Sequence, residues 1–188
     1  MTIKKQTLLS IIGALKCASK DLTRYHLTGV YIDTKNIVTT DGHKMVIIPH
    51  GETIFKESYW IGPEQIPILK LVLKSYPKSI DDIQCLTVDG GINVLGFGDT
   101  PITTLLKTAK SQSINYPNYQ TIIPTHDDTL KVSLNAEYIL QVAESLKTTS
   151  KFPNVTFNFK SAGVGIDHLS PVMVKMDGNM GVIMPCRM

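Results

Sequence analysis

The sequence predicts an α+β protein built from three copies of one βαβββ-like repeat, near residues 1–55, 56–112 and 125–188. Helical apolar periodicity occurs in three places, and each is followed by short runs with strand alternation. A proline-bearing polar stretch with no period, residues 111–128, separates the second copy from the third. One helix over a small sheet cannot bury that sheet alone, so the repeats are expected side by side with their helices on a common face.

Gln6 to Ser19 opens the first copy as an amphipathic helix, with Leu8, Leu9, Ile11, Ile12 and Leu15 on the predicted buried face. Extended runs follow at Leu27 to Asp33, Asn36 to Thr40 and Lys44 to Pro49. Asp41-Gly42 turns the chain between the last two. After a polar link from Gly51 to Tyr59, the second helix opens where Pro63 and Pro67 fit a first turn, and it stops at Tyr76-Pro77. Ile83 to Asp89 and Ile92 to Phe97 form a hairpin across Gly90-Gly91, and Pro101 to Ala109 adds a third strand. The third copy starts with a short strand, Leu130 to Leu134, and a helix capped by Asn135 with Glu137 in its first turn. Ile139, Leu140, Val142, Ala143 and Leu146 form its expected buried face. Strands are expected at Asn154 to Lys160, Gly163 to Asp167, Pro171 to Met176 and Gly181 to Met184.

With 188 residues, 43% of them hydrophobic, the chain is long enough for a substantial core. No apolar run approaches the roughly 18 residues of a membrane span and the N-terminal stretch does not read as a secretory signal, so the expectation is a cytoplasmic protein with no membrane partner. Cys17, Cys85 and Cys186 are odd in number and far apart, which points to free thiols rather than a disulfide framework or a zinc site. A net charge of +3 permits a polyanionic partner without requiring one.

The positions of the basic residues say more. Lys70, Lys74 and Lys78 recur every four residues, and Lys16 with Lys20 and Lys147 with Lys151 do the same at the ends of the other two helices. Solubilising lysines on exposed faces are the plain reading of any one helix. Three helices in agreement could line a surface that follows the phosphates of duplex DNA without reading its bases. No aromatic residues are interleaved as single-strand stacking needs.

Three signatures resemble the bacterial DNA polymerase sliding clamp, the beta subunit of the replicase. They are His26-Leu-Thr-Gly-Val with Thr40-Asp-Gly-His-Lys-Met45, the linker Tyr116 to Pro124 (YPNYQTIIP), and the terminus Val182 to Met188 (VIMPCRM). The resemblance implies a DNA-clamp fold and a ring with helices inside and sheets outside, which encircles duplex DNA and tethers a polymerase without chemistry of its own. It also implies a cleft for short linear motifs of the polymerase and the clamp loader. By position, Leu27, Thr40, Gly42, His43, Lys44 and Met45 would form one wall of that cleft, with Pro117, Thr121 and Ile122 beneath. Val182, Ile183, Met184, Pro185, Cys186, Arg187 and Met188 would form the other wall. The chain is shorter than the family's pattern: residues 1–112 match a complete domain resembling the middle one, 113–124 a linker, and 125–188 half of the last domain. The family closes its ring with twelve repeats, so three per chain suggest a homo-oligomer of four. An adaptor or decoy that binds clamp-interacting peptides, or a host clamp, without closing a ring is the alternative.

An enzyme is disfavoured. Asp41 and His43 flank a glycine turn with no nucleophile motif nearby. His126-Asp127-Asp128 and Asp167-His168 lack metal-ligand spacing, and no glycine-rich loop precedes a helix. No catalytic residue, metal or cofactor is expected.

Overall fold

The computed structural model describes residues 1–123, 132–146, 154–160, 170–176 and 179–186. They fall into two lobes, Met1–Tyr119 and Gln120–Met188.

In the first lobe, β1 (Thr2–Lys4) leads directly into α1 (Lys5–Ala14), and β2 (Val30–Ile32), β3 (Asn36–Thr40) and β4 (Met45–Pro49) follow. The order then repeats as β5 (Tyr59–Ile61), α2 (Ile66–Ser75), β6 (Asp82–Val88), β7 (Gly91–Leu95) and β8 (Thr103–Lys107). Each repeat hands its first strand to the other. The sheets run β4-β3-β2-β5 and β1-β6-β7-β8, every pair antiparallel. Ile3 sits opposite Ile83, and Tyr31 opposite Trp60.

The exchange buries what one repeat cannot bury alone. α1 and α2 pack against each other, and Leu8, Ile11, Leu69 and Val72 join Ile32, Ile37, Val94 and Leu106 in a single core. Burying each such side chain stabilises the fold by roughly 1.5–3 kcal/mol. α1 has no side-chain cap of its own. Glu52, in the loop after β4, accepts from Lys4 N at 2.8 Å and Thr7 Oγ1 at 2.6 Å, which places a carboxylate at the positive end of that helix. α2 starts behind a short 3-10 turn, Pro63–Gln65, with Pro67 in its own first turn, as the sequence predicts. It ends where Tyr76, extended before Pro77, turns inward. The Tyr76 hydroxyl donates to Leu95 O at 3.1 Å and accepts from Gln84 N at 2.9 Å.

The second lobe holds α3 (Ala136–Leu146), β9 (Thr156–Asn158), β10 (Val172–Met176) and β11 (Asn179–Ile183), in sheet order β11-β10-β9. Among the described residues, Val172, Val174, Met176 and Ile183 are its buried ones.

Several expectations need correction. β1 and β5 were not foreseen, because three residues are too few to show alternation and their partners lie in the other repeat. Leu27 belongs to a 3-10 segment, Leu22–Leu27, and not to a strand. Leu9 and Leu140 are exposed rather than on a buried face. Of the strand expected at Leu130 to Leu134, residues 132–134 are not in a strand. The rest of that run, and Gly163 to Asp167, lie outside the described residues.

Candidate functional site

The β3–β4 turn is held by its own polar groups. Asp41 Oδ1 accepts from His43 N at 2.8 Å and Lys44 N at 2.9 Å, and its other oxygen pairs with Lys44 Nζ. Thr40 Oγ1 accepts from Gly42 N at 3.0 Å and donates to Lys44 O at 2.8 Å. Gly42 has φ +92°, a conformation that favours glycine, and its one close neighbour is the mobile end of the Arg24 side chain.

These bonds, led by the one from Lys44, hold the Asp41 carboxyl well below the usual carboxylate range. A carboxyl whose folded pKa is depressed contributes stability above its unfolded value, near 3.9, and loses it as pH falls toward the folded one. The His43 and Lys44 amide resonances are therefore expected to keep their hydrogen-bonded shifts from pH 7 to below 3.9. Asp41→Ala should shift both amides at every pH and remove that titration, which an NMR pH series will show.

Thr40 and Met45 are half-buried, while Gly42, His43 and Lys44 project into solvent. Leu27 is buried rather than exposed beside them, and its carbonyl accepts from Ser19 N at 2.9 Å. Arg24, which the sequence reading did not single out, reaches the same place. Its Nε bonds Asp21 Oδ2 at 3.3 Å, and it lines a groove of about 410 Å³ with Lys16, Lys20, His43 and Lys44. The only available signal was its position two residues before His26.

The segment after β8 packs on β2 and the β2–β3 turn, at the other end of β3 from the Thr40 to Met45 turn. Tyr116 stacks on Tyr31, with ring centroids 4.5 Å apart and planes 4° from parallel, and burial pushes its hydroxyl pKa upward. Tyr119 Oη donates to Asp33 Oδ2 at 2.6 Å and accepts from Asn36 Nδ2 at 3.0 Å. Burial alone would raise the Asp33 pKa, but the Tyr119 bond and the amides of Lys35 and Asn36 outweigh it and hold the carboxyl below its ordinary value. Tyr119→Phe leaves both partners short of a bond and is expected to cost about 1–3 kcal/mol in urea unfolding. Pro117 and, in the second lobe, Thr121 and Ile122 are exposed.

Also in the second lobe, Val182 and Met184 project outward from the end of β11, and Ile183 points into the core. Pro185 is half-buried and Cys186 exposed. Cys186 N donates to Ser133 O at 2.7 Å, which ties this run to the segment before α3. Arg187 and Met188 lie outside the described residues, as do Lys147 and Lys151.

Lys70, Lys74 and Lys78 are exposed, and α2 turns Ile68 and Leu71 outward among them, so its outer face is mixed rather than purely basic. Lys16 and Lys20 are exposed just beyond the end of α1, whose own outer face carries Gln6, Leu9 and Gly13. Among the described residues none of these five lysines has an ion-pair partner. No group of three or more His, Cys, Asp or Glu that could hold a metal occurs among the described residues, and no helix there is long and apolar enough to cross a membrane.

Neither a protein-family model nor a curated protein sequence matches the chain. Solved structures do. The beta subunit of the DNA polymerase of Streptococcus pyogenes superposes with a TM-score of 0.67 at 18% identity, covering 100% of this chain and 50% of the other. The Bacillus subtilis sliding clamp gives 0.63 at 15% identity over 98% and 48% of the two chains, and a Caulobacter crescentus beta sliding clamp gives 0.66 at 16% over 98% and 50%. This chain spans about half the length of those clamps. Helices packed on sheets, repeats that exchange strands and full-length superposition together establish that it has the fold of the bacterial DNA polymerase beta sliding clamp.

Proposed function

We propose that the chain is a non-catalytic sliding clamp, which assembles around duplex DNA and tethers a polymerase and a clamp loader through short peptide motifs. The observation that carries the reading is superposition of the whole chain on half of a solved clamp, with Lys70 and Lys74 exposed on α2 and without an ion-pair partner among the described residues. Unpaired lysines suit a phosphate backbone, where affinity comes from charge and counterion release rather than base contacts.

The residues proposed for peptide contact are, in the first lobe, the Thr40 to Met45 turn and Pro117, and, in the second, Thr121, Ile122 and the run from Val182 to Met188. A glycine-pinned turn offers fixed polar edges, and Val182 and Met184 offer adaptable apolar contact. Three repeats per chain and twelve per ring give a tetramer, with chains meeting head-to-head and tail-to-tail.

Retention on DNA tests the reading. A clamp loaded on closed circular duplex stays bound through gel filtration and is lost once the circle is linearised. Equal loss from circle and line would overturn the ring and favour the adaptor reading, in which peptides bind but DNA topology is irrelevant.

A further inference from the structure

The first strand after each helix has very different surroundings in the two lobes. In β2 the core-facing residues Val30 and Ile32 are both 0% exposed, and in β6 Ile83 and Cys85 are 0% and 1% exposed. The corresponding strand of the third repeat is β9. Phe157 sits opposite Val174, which is 1% exposed, so the two side chains share the inner face of the sheet. Even so, Phe157 is 37% exposed, and Val155 and Phe159, two residues to either side, are 37% and 40% exposed.

The cause is visible in the first lobe. There β2 is flanked by β5 and β6 by β1, each supplied by the other repeat, and the inward residues of all four strands share one core with α1 and α2. In the second lobe α3 packs on β10 and β11, and among the described residues no strand pairs with the outer edge of β9. A strand edge with no partner among the described residues, beside a row of apolar side chains, is a surface that folded proteins normally cover.

Its complement can be read from the same chain. The repeats of the first lobe are reciprocal, each giving the strand before its helix and receiving the other's. The segment before α3 is placed to do likewise. Cys186 N bonds Ser133 O at 2.7 Å, as Ala109 N bonds Ser58 O at 2.8 Å beside β5, and β5 turns its other edge to β2. A reciprocal contact between identical repeats is isologous and needs no second kind of partner.

We propose that β9 is covered by a second copy of this chain, the 132–134 segment of each copy pairing with β9 of the other, so that two half-domains complete one clamp-type domain across a two-fold axis. Phe157 is the anchor of that interface. The inference deepens the ring reading, since it supplies one of the two contacts a tetramer requires, but its test needs no DNA.

Sedimentation of the full-length chain from sub-micromolar to tens of micromolar is expected to show a species of at least two copies. Phe157→Glu places a charge in the apolar centre and should weaken self-association by roughly 30-fold or more, with Trp60 emission unchanged. A photo-crosslinking amino acid at position 157, in a mixture of isotopically light and heavy chains, should capture the 132–146 region of another copy. A wild-type monomer throughout, an unchanged mass for Phe157→Glu, or crosslinks confined to the same chain would overturn the inference. Self-association through β9 without retention on circles would sink the clamp reading alone. Retention with no effect of Phe157→Glu on mass would sink this inference alone.

Discussion

Replacing Lys70 and Lys74 together with glutamate is expected to weaken binding to duplex DNA about ten-fold or more while leaving the fold intact. Both side chains are exposed on the outer face of α2, and neither has an ion-pair partner among the described residues. Surface changes of this kind usually move stability by no more than about 0.5 kcal/mol. Each lysine that neutralises a phosphate adds about 0.9 to the salt dependence of binding, so two should lower the slope by roughly 1.8 per bound chain. Reversal also adds repulsion between carboxylates and phosphates. A loss of ten-fold or more in affinity at about 0.1 M salt is expected, and the difference should shrink as salt rises. Fluorescence anisotropy with a labelled duplex at several salt concentrations measures both. An unchanged slope would show that α2 does not face DNA.

Trp60→Ala should produce the largest loss of stability. Trp60 is fully buried where β5 meets β2, its indole N–H donates to His26 O at 3.1 Å, and its ring lies 4.7 Å from that of Tyr25. Gly29 exists to admit it, because a Cβ there would fall 2.5 Å from the indole. The backbone carbonyl of Trp60 also accepts from Gln112 Nε2 at 2.8 Å. Truncating such a residue costs about 3–5 kcal/mol, a large share of a total near 5–15 kcal/mol. The consequence reaches beyond one strand, since β5 is the piece that the second repeat inserts into the first. Urea unfolding followed by circular dichroism should show a markedly lower midpoint for the first lobe. As the chain's single tryptophan, Trp60 also makes wild-type fluorescence a probe of that seam.

How far the sequence could be read followed the range of each interaction. Pro63, Pro67 and Tyr76-Pro77 bracket α2 because proline fixes φ and restricts the residue before it, effects that reach one neighbour. The Asp41-Gly42 turn was legible for the same reason. Its hydrogen bonds span two or three residues, and glycine alone accepts the φ that the turn requires without cost. Arg24 escaped notice because what places it over Gly42 is the path of a 3-10 segment kinked at Arg24 itself, not a local pattern.

By itself, then, the sequence determined the helices, the hairpins and the threefold copying, since each is written in periods and punctuation over a few residues. Only the tertiary structure decided that β1 and β5 change places, that Glu52 caps a helix more than forty residues earlier, and that Tyr119 locks onto Asp33. Those contacts join segments that carry no trace of one another in local sequence, and they form because a lone helix and sheet leave apolar surface that a distant segment must cover.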